Sequence, residues 1–150
     1  MVINDYAKLL KKDSNNIMTL EKVQEIYPNA VIYTMENSAN DGSKELLRIN
    51  EIILSAEPFR VSFFFKDKDM TRIYLSPNRD YNRTTGNRVF NNLNRSLTAI
   101  YGQSVNSEVK TNSMFPTKNV SWLSEGIDIF LASTIIGDKN TIYVLYYIKY

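Results

Sequence analysis

The sequence predicts a single α+β domain over residues 1–150, in which an antiparallel sheet of five or six strands packs on one main helix at about 83–101 behind short N-terminal helices. Three observations predict it. Val89, Phe90, Leu93, Leu97, Ile100 and Tyr101 recur at helical spacing. Phe59, Val61, Phe63 and Phe65 alternate with Arg60, Ser62, Phe64 and Lys66 in the two-residue period of a half-buried strand. Near the C-terminus, Ile127, Ile129 and Leu131 and then Ile142, Val144, Tyr146 and Ile148 repeat that alternation on either side of a Gly-Asp turn. At 150 residues and 43% hydrophobic, the chain can build one ordinary core.

In chain order, residues 4–12 place Tyr6, Leu9 and Leu10 on one helical face, and the polar cluster 13–16 ends that short helix. Thr19 is an N-cap for a second helix in which Leu20, Val23 and Ile26 recur. Glu21 suits its positive end, and Pro28 stops it. Residues 30–35 read as a strand, and 36–43 as a polar, mobile loop around Asp41-Gly42. Residues 46–55 read as a strand because Ile49, Ile52 and Ile53 are β-branched, with a helix as the alternative. The strand at 59–66 turns through Lys66-Asp-Lys-Asp69 into a partner at 70–75.

Gly102 stops the main helix, because glycine takes a positive φ without a Cβ penalty. Arg83, Arg88 and Arg95 then point mostly to solvent. A polar stretch at 103–118 precedes three strands at 119–123, 127–134 and 141–150, joined by Ser124-Glu-Gly126 and Gly137-Asp-Lys-Asn140 as a meander.

The chain has no cysteine and no histidine. Thiol nucleophiles, Cys-His pairs, Ser-His-Asp triads, the usual zinc sites and His-ligated haem are therefore excluded. Carboxylate pairs remain available for glycoside hydrolysis or for binding magnesium or calcium, so a carboxylate hydrolase is the rival class. No glycine-rich phosphate loop, nucleophile elbow or paired-acid motif is present, and Glu125 with Asp128 fall short of a calcium loop. The expectation is no enzyme activity, no cofactor and no metal.

Charge is uneven. Residues 1–58 carry 6 Lys+Arg against 9 Asp+Glu, and residues 59–150 carry 12 against 7. Most arginines fall between Arg60 and Arg95, which permits a basic face. Tyr74 beside Arg72, and Tyr81 beside Arg79 and Arg83, have the residue types that stack bases and contact phosphates, but without a nucleic-acid-binding signature no nucleic acid is expected. No apolar run spans a membrane, and the first residues lack an export pattern. The expected location is periplasmic or secreted if a signal peptide is removed ahead of Val2, and otherwise cytoplasmic.

The final strand sets Tyr143, Leu145, Tyr147 and Lys149 opposite its core residues. Tyrosine brings large contact area at low rotamer entropy, so this face is a candidate for protein recognition, unless a helix or loop covers it. Phe64, on the polar side of its strand, must likewise be covered or meet a partner. Trp122 reads as a packing residue rather than a binding anchor. The Asn-x-Ser/Thr triplets at Asn82, Asn94 and Asn119 carry no information in so Asn-rich a chain.

From about Phe59 onward the order is a hairpin, a helix ending in Tyr101-Gly102, a Trp-bearing strand, and strands closing in Ile142-Tyr-Val-Leu-Tyr-Tyr147, while Thr19 to Ile26 supplies a short leading helix. This resembles small bacterial envelope domains related to the β-lactamase-inhibitor-protein fold, including uncharacterised secreted proteins and some toxin-immunity proteins. The chain departs from that group in lacking disulfides and a tandem repeat.

The resemblance implies a noncatalytic domain that binds another protein, a toxin or secreted enzyme, through the exposed face of its sheet, as an immunity or inhibitor-type partner acting by steric occlusion. The expected anchors are Tyr74, Tyr143, Tyr147, Arg72 and Arg83. A small-ligand or envelope-scaffold domain is the alternative.

Overall fold

A computed structural model describes residues 5–11 and 18–148. Its frame is one eight-stranded antiparallel sheet in the order β1-β2-β3-β4-β8-β7-β6-β5. The strands are β1 (Val31–Ile32), β2 (Lys44–Leu54), β3 (Glu57–Lys66), β4 (Asp69–Pro77), β5 (Asn106–Lys110), β6 (Thr117–Ser124), β7 (Ile127–Ile136) and β8 (Lys139–Ile148). The helices are α1 (Ala7–Leu10), α2 (Leu20–Ile26) and α3 (Arg83–Tyr101). Two meanders, β1 to β4 and β5 to β8, meet where β4 pairs with β8, and α3 carries the chain from the middle of the sheet to its far edge.

Two-residue turns fix the registers. Ser55-Ala56 joins β2 to β3, Asp67-Lys68 joins β3 to β4, Glu125-Gly126 joins β6 to β7, and Gly137-Asp138 joins β7 to β8. Each contains positive φ, including Ser55 at 51° and Ala56 at 59°, as the right-handed twist of the strands requires. Serine and alanine pay a steric cost there that glycine would not. The Ser55-Ala56 turn is fastened from α3: Arg88 Nη1 donates to the Ser55 carbonyl at 3.0 Å, and Asn92 Nδ2 donates to Ser55 Oγ at 2.7 Å.

The core lies on one side of the sheet. Phe63, Ile73, Tyr146 and Ile129 form one cross-strand row on that side, and Val61, Leu75, Val144 and Leu131 form the next. Val89, Phe90, Leu93 and Leu97 of α3 pack there over β6, β7 and β8. α1 lies on β4, β7 and β8, and Tyr27 beyond α2 stacks on Phe63 at 6.0 Å between ring centroids. Asn82 caps α3 by accepting from the Thr85 amide at 2.8 Å, and Gly102 ends it with φ +82°. Thr19 caps α2 through Lys22 N.

Several expectations need correction. Among the described residues the molecule is mostly β, with eight strands rather than five or six, so the α+β reading does not hold, and the one main helix covers only half of the sheet. β5 was hidden because all five of its residues are exposed, so it has no apolar alternation. The expected strand at 30–35 contracts to Val31–Ile32, an edge pair that meets only Arg48 and Leu47. Residues 46–54 are strand rather than helix, as part of β2, and Ser55 lies in the turn.

Loop 36–43, expected to be mobile, is tied down. The Ser43 and Thr71 hydroxyls share a hydrogen bond at 2.6 Å, and Arg72 pairs with Asp41 at 3.5 Å. Arg83, Arg88 and Arg95 are exposed as expected, and Arg88 together with Arg79 also holds Glu57 at 3.1 and 2.6 Å, where the Arg79 hydrogen bond in particular keeps that carboxyl below its ordinary range. The ends of the expected first helix, Asn4 and Lys12, its stop at 13–16, and Lys149 lie outside the described residues.

Candidate functional site

Alternation along each strand puts every second side chain on the sheet surface opposite the helices. Strand pairing then assembles these side chains into rows. Phe64, Arg72, Tyr147, Asp128 and Leu123 form one row, and Ser62, Tyr74, Leu145, Phe130 and Ser121 the next. Tyr143 continues the band beside Ala132. At its centre the Tyr74 and Tyr143 rings lie 5.4 Å apart and Phe130 and Tyr143 6.1 Å apart, within the range of tilted aromatic contacts. All three rings are half-buried against one another. Among the described residues no helix lies over this side; α1, α2 and α3 bury their apolar residues with the opposite face.

Arg72, Phe130, Tyr143, Leu145 and Tyr147 line a shallow depression of 250 Å³. Arg72 is the cation at its rim. Its Nη2 faces Asp41, and its Nε is buried without a hydrogen-bond partner among the described residues. Burial raises the hydroxyl pKa of Tyr143. Burial, followed by the nearby Tyr143 hydroxyl, raises that of Tyr74, and burial with the Asp128 carboxylate raises that of Tyr147. The rings are therefore neutral near pH 7, each an apolar plate with a polar tip.

The structure brings four of the five expected anchors together. Tyr143, Tyr147 and Arg72 line the depression, and Tyr74 packs on Tyr143 beside them. Arg83 is placed elsewhere: it opens α3 and donates through Nε to the Gly137 carbonyl at 3.0 Å, fastening the β7–β8 turn. Phe130 and Arg60 belong to the face but were not singled out from the sequence. The signal for Phe130 was the one that picked out Phe64, an aromatic residue on the off-core side of a well-patterned strand.

Phe64 is 6% exposed, closed in by Glu45 and Arg72 on the neighbouring strands. Glu45 itself is fixed by Arg48 at 2.7 Å and by Asn37 at 2.8 Å. These hydrogen bonds outweigh burial and keep the Glu45 carboxyl below its ordinary range. Arg48 in turn lies 3.9 Å above the Tyr33 ring.

On the far side of Tyr74, a polar recess of 190 Å³ collects Arg60, Ser76, Arg79, Tyr81 and Lys139. Arg60 is already bonded to Ser76 at 2.9 Å and Arg79 to Glu57 at 2.8 Å. Trp122 is fully buried and gives its indole N–H to the Gly102 carbonyl at 3.1 Å, so it is a packing residue.

Glu125 pairs with Lys11, while Asp128 sits on β7 beside Tyr147. Among the described residues no three Asp or Glu side chains come together as a metal would need, and no helix is long and apolar enough to cross a membrane. No protein-family model, curated protein or solved structure significantly matches this chain.

Proposed function

We propose that the chain is a noncatalytic protein-binding domain whose uncovered sheet face docks another protein, with Tyr74, Tyr143, Tyr147 and Arg72 as anchors. The observation that carries this reading is the contiguous band of half-buried rings around Tyr143 on the side of the sheet without helices. An aromatic centre with an arginine at its rim is the composition of interface hot spots, where preformed rings exclude water at low entropic cost. A small-ligand site usually encloses about 300–1,000 Å³. The depression here is smaller, at 250 Å³, and shallow, which favours a broad protein surface. Steric occlusion of a toxin or secreted enzyme, in the manner of an immunity or inhibitor-type protein of the bacterial periplasm, is the activity we assign to it.

The test is a pull-down from the source organism with the wild-type chain and with Tyr143→Ala, Tyr147→Ala. The double variant should lose the partner by about 30-fold or more in affinity, because two central anchors cost about 2 kcal/mol or more. Its melting temperature should fall by only a few degrees, since both rings stand outside the core. A partner retained equally by both proteins would refute the assignment.

A further inference from the structure

The sheet ends in two unequal edges. β1 is two residues long, whereas β5 is a five-residue strand whose side chains are all exposed. Its inner side pairs with β6 from Asn106↔Ser121 to Lys110↔Thr117, and among the described residues no strand pairs with its outer side. An edge of this kind presents unpaired N–H and C=O groups and accepts another strand unless something blocks it. No proline or positive φ interrupts β5.

Its side chains specify which strand fits. Glu108 and Lys110 point to the uncovered side of the sheet and pair with each other at 3.3 Å, next to the uncharged Asn119 and Thr117 of β6. Val109 points to the helix side beside Lys118 and is 59% exposed. We propose that β5 pairs antiparallel with β5 of a second copy of this chain, centred on Val109.

Self-pairing centred on residue 108 would set Glu108 against itself, and centring on 110 would set Lys110 against itself. Centring on 109 sets Val109 against Val109 and each Glu108 against Lys110 of the other copy. Opposite charges directly across a strand pair stabilise it, and like charges destabilise it. The sequence Glu-Val-Lys is thus self-complementary in one register alone. The two-fold axis stands perpendicular to the sheet, so both uncovered aromatic faces lie on the same side of one continuous sheet. The pairing is isologous and closed, which limits it to a dimer.

Sedimentation equilibrium of the full chain from micromolar to near-millimolar concentration tests this. The wild type should associate reversibly to a dimer. Glu108→Lys alone, and Lys110→Glu alone, each set like charges opposite one another twice and should weaken the dimer about tenfold. The double substitution Glu108→Lys, Lys110→Glu restores opposite charges in the same register and should restore the dimer. A wild type that stays monomeric throughout overturns the proposal. So does a dimer indifferent to the single reversals, or one weakened by both singles and not recovered in the double. Far-UV circular dichroism on the same samples separates loss of pairing from loss of the fold, and Lys110→Glu provides a second variant of opposite charge.

Discussion

Replacing Trp122 by alanine is expected to remove about 3–5 kcal/mol of stability, a large part of what a domain of this size possesses. The side chain is fully buried, and it lies opposite Ile129 in the row of core residues that α3 covers. Truncation leaves a cavity that β6, pinned to β7 over eight registered pairs, cannot collapse to fill. It also strands the Gly102 carbonyl, which accepts the indole N–H at the point where α3 ends. Trp122→Phe keeps most of the volume and loses the hydrogen bond, so it should cost about 1–2 kcal/mol. Urea unfolding at equilibrium measures both. A cost below about 1 kcal/mol for the alanine variant would mean that the packing around β6 is not as described.

Gly86→Ala is expected to destabilise by about 1–3 kcal/mol, although in an exposed helix interior the same change stabilises by about 1 kcal/mol. The reversal comes from Asn140. A Cβ on residue 86 would meet Asn140 Cβ and Nδ2 at 2.5 Å and Cγ at 2.6 Å. Asn140 cannot swing away without cost, because its side chain accepts from the Ser133 hydroxyl, its backbone N–H donates to the Tyr81 carbonyl at 2.9 Å, and it pairs with Ile135 across the sheet. α3 approaches β8 this closely because residue 86 has no side chain. A double-mutant cycle isolates the contact: in an Asn140→Gly background the penalty of Gly86→Ala should shrink or change sign. A stabilising Gly86→Ala, or one equally costly in both backgrounds, would contradict this packing.

Legibility in the sequence followed apolar patterning. α3, β3, β4, β7 and β8 have one face in the core, and burial writes a period of 3.6 or 2 into such segments. β5 was illegible because neither of its faces is buried, and the strand at 30–35 was drawn too long because both residues of β1 are exposed and no burial pattern marks its ends. The β2–β3 turn was illegible because Ser55 and Ala56 are not residues that favour positive φ; Ser55 is held there by Arg88 and Asn92, more than thirty positions away. Of the candidate site, alternation sufficed to group Tyr143, Leu145 and Tyr147. It set them opposite the core residues but left open whether a helix or loop covers them, since that depends on where α1 and α3 pack rather than on the strand itself. Arg83 stands apart from the other four expected anchors, exposed at the start of α3, and its partner is a turn carbonyl 54 residues away that strand alternation does not show.

Under the proposed function, the helix-free side of the sheet receives another protein. Hydroxyl-radical oxidation read residue by residue by mass spectrometry tests it most directly, with and without the captured partner. Tyr74, Phe130, Tyr143 and Tyr147 should be oxidised in the free chain and protected in the complex, while Trp122 and Tyr146 should be unreactive in both. Rings on that face that are already protected in the free chain, or equally oxidised with the partner bound, would contradict it.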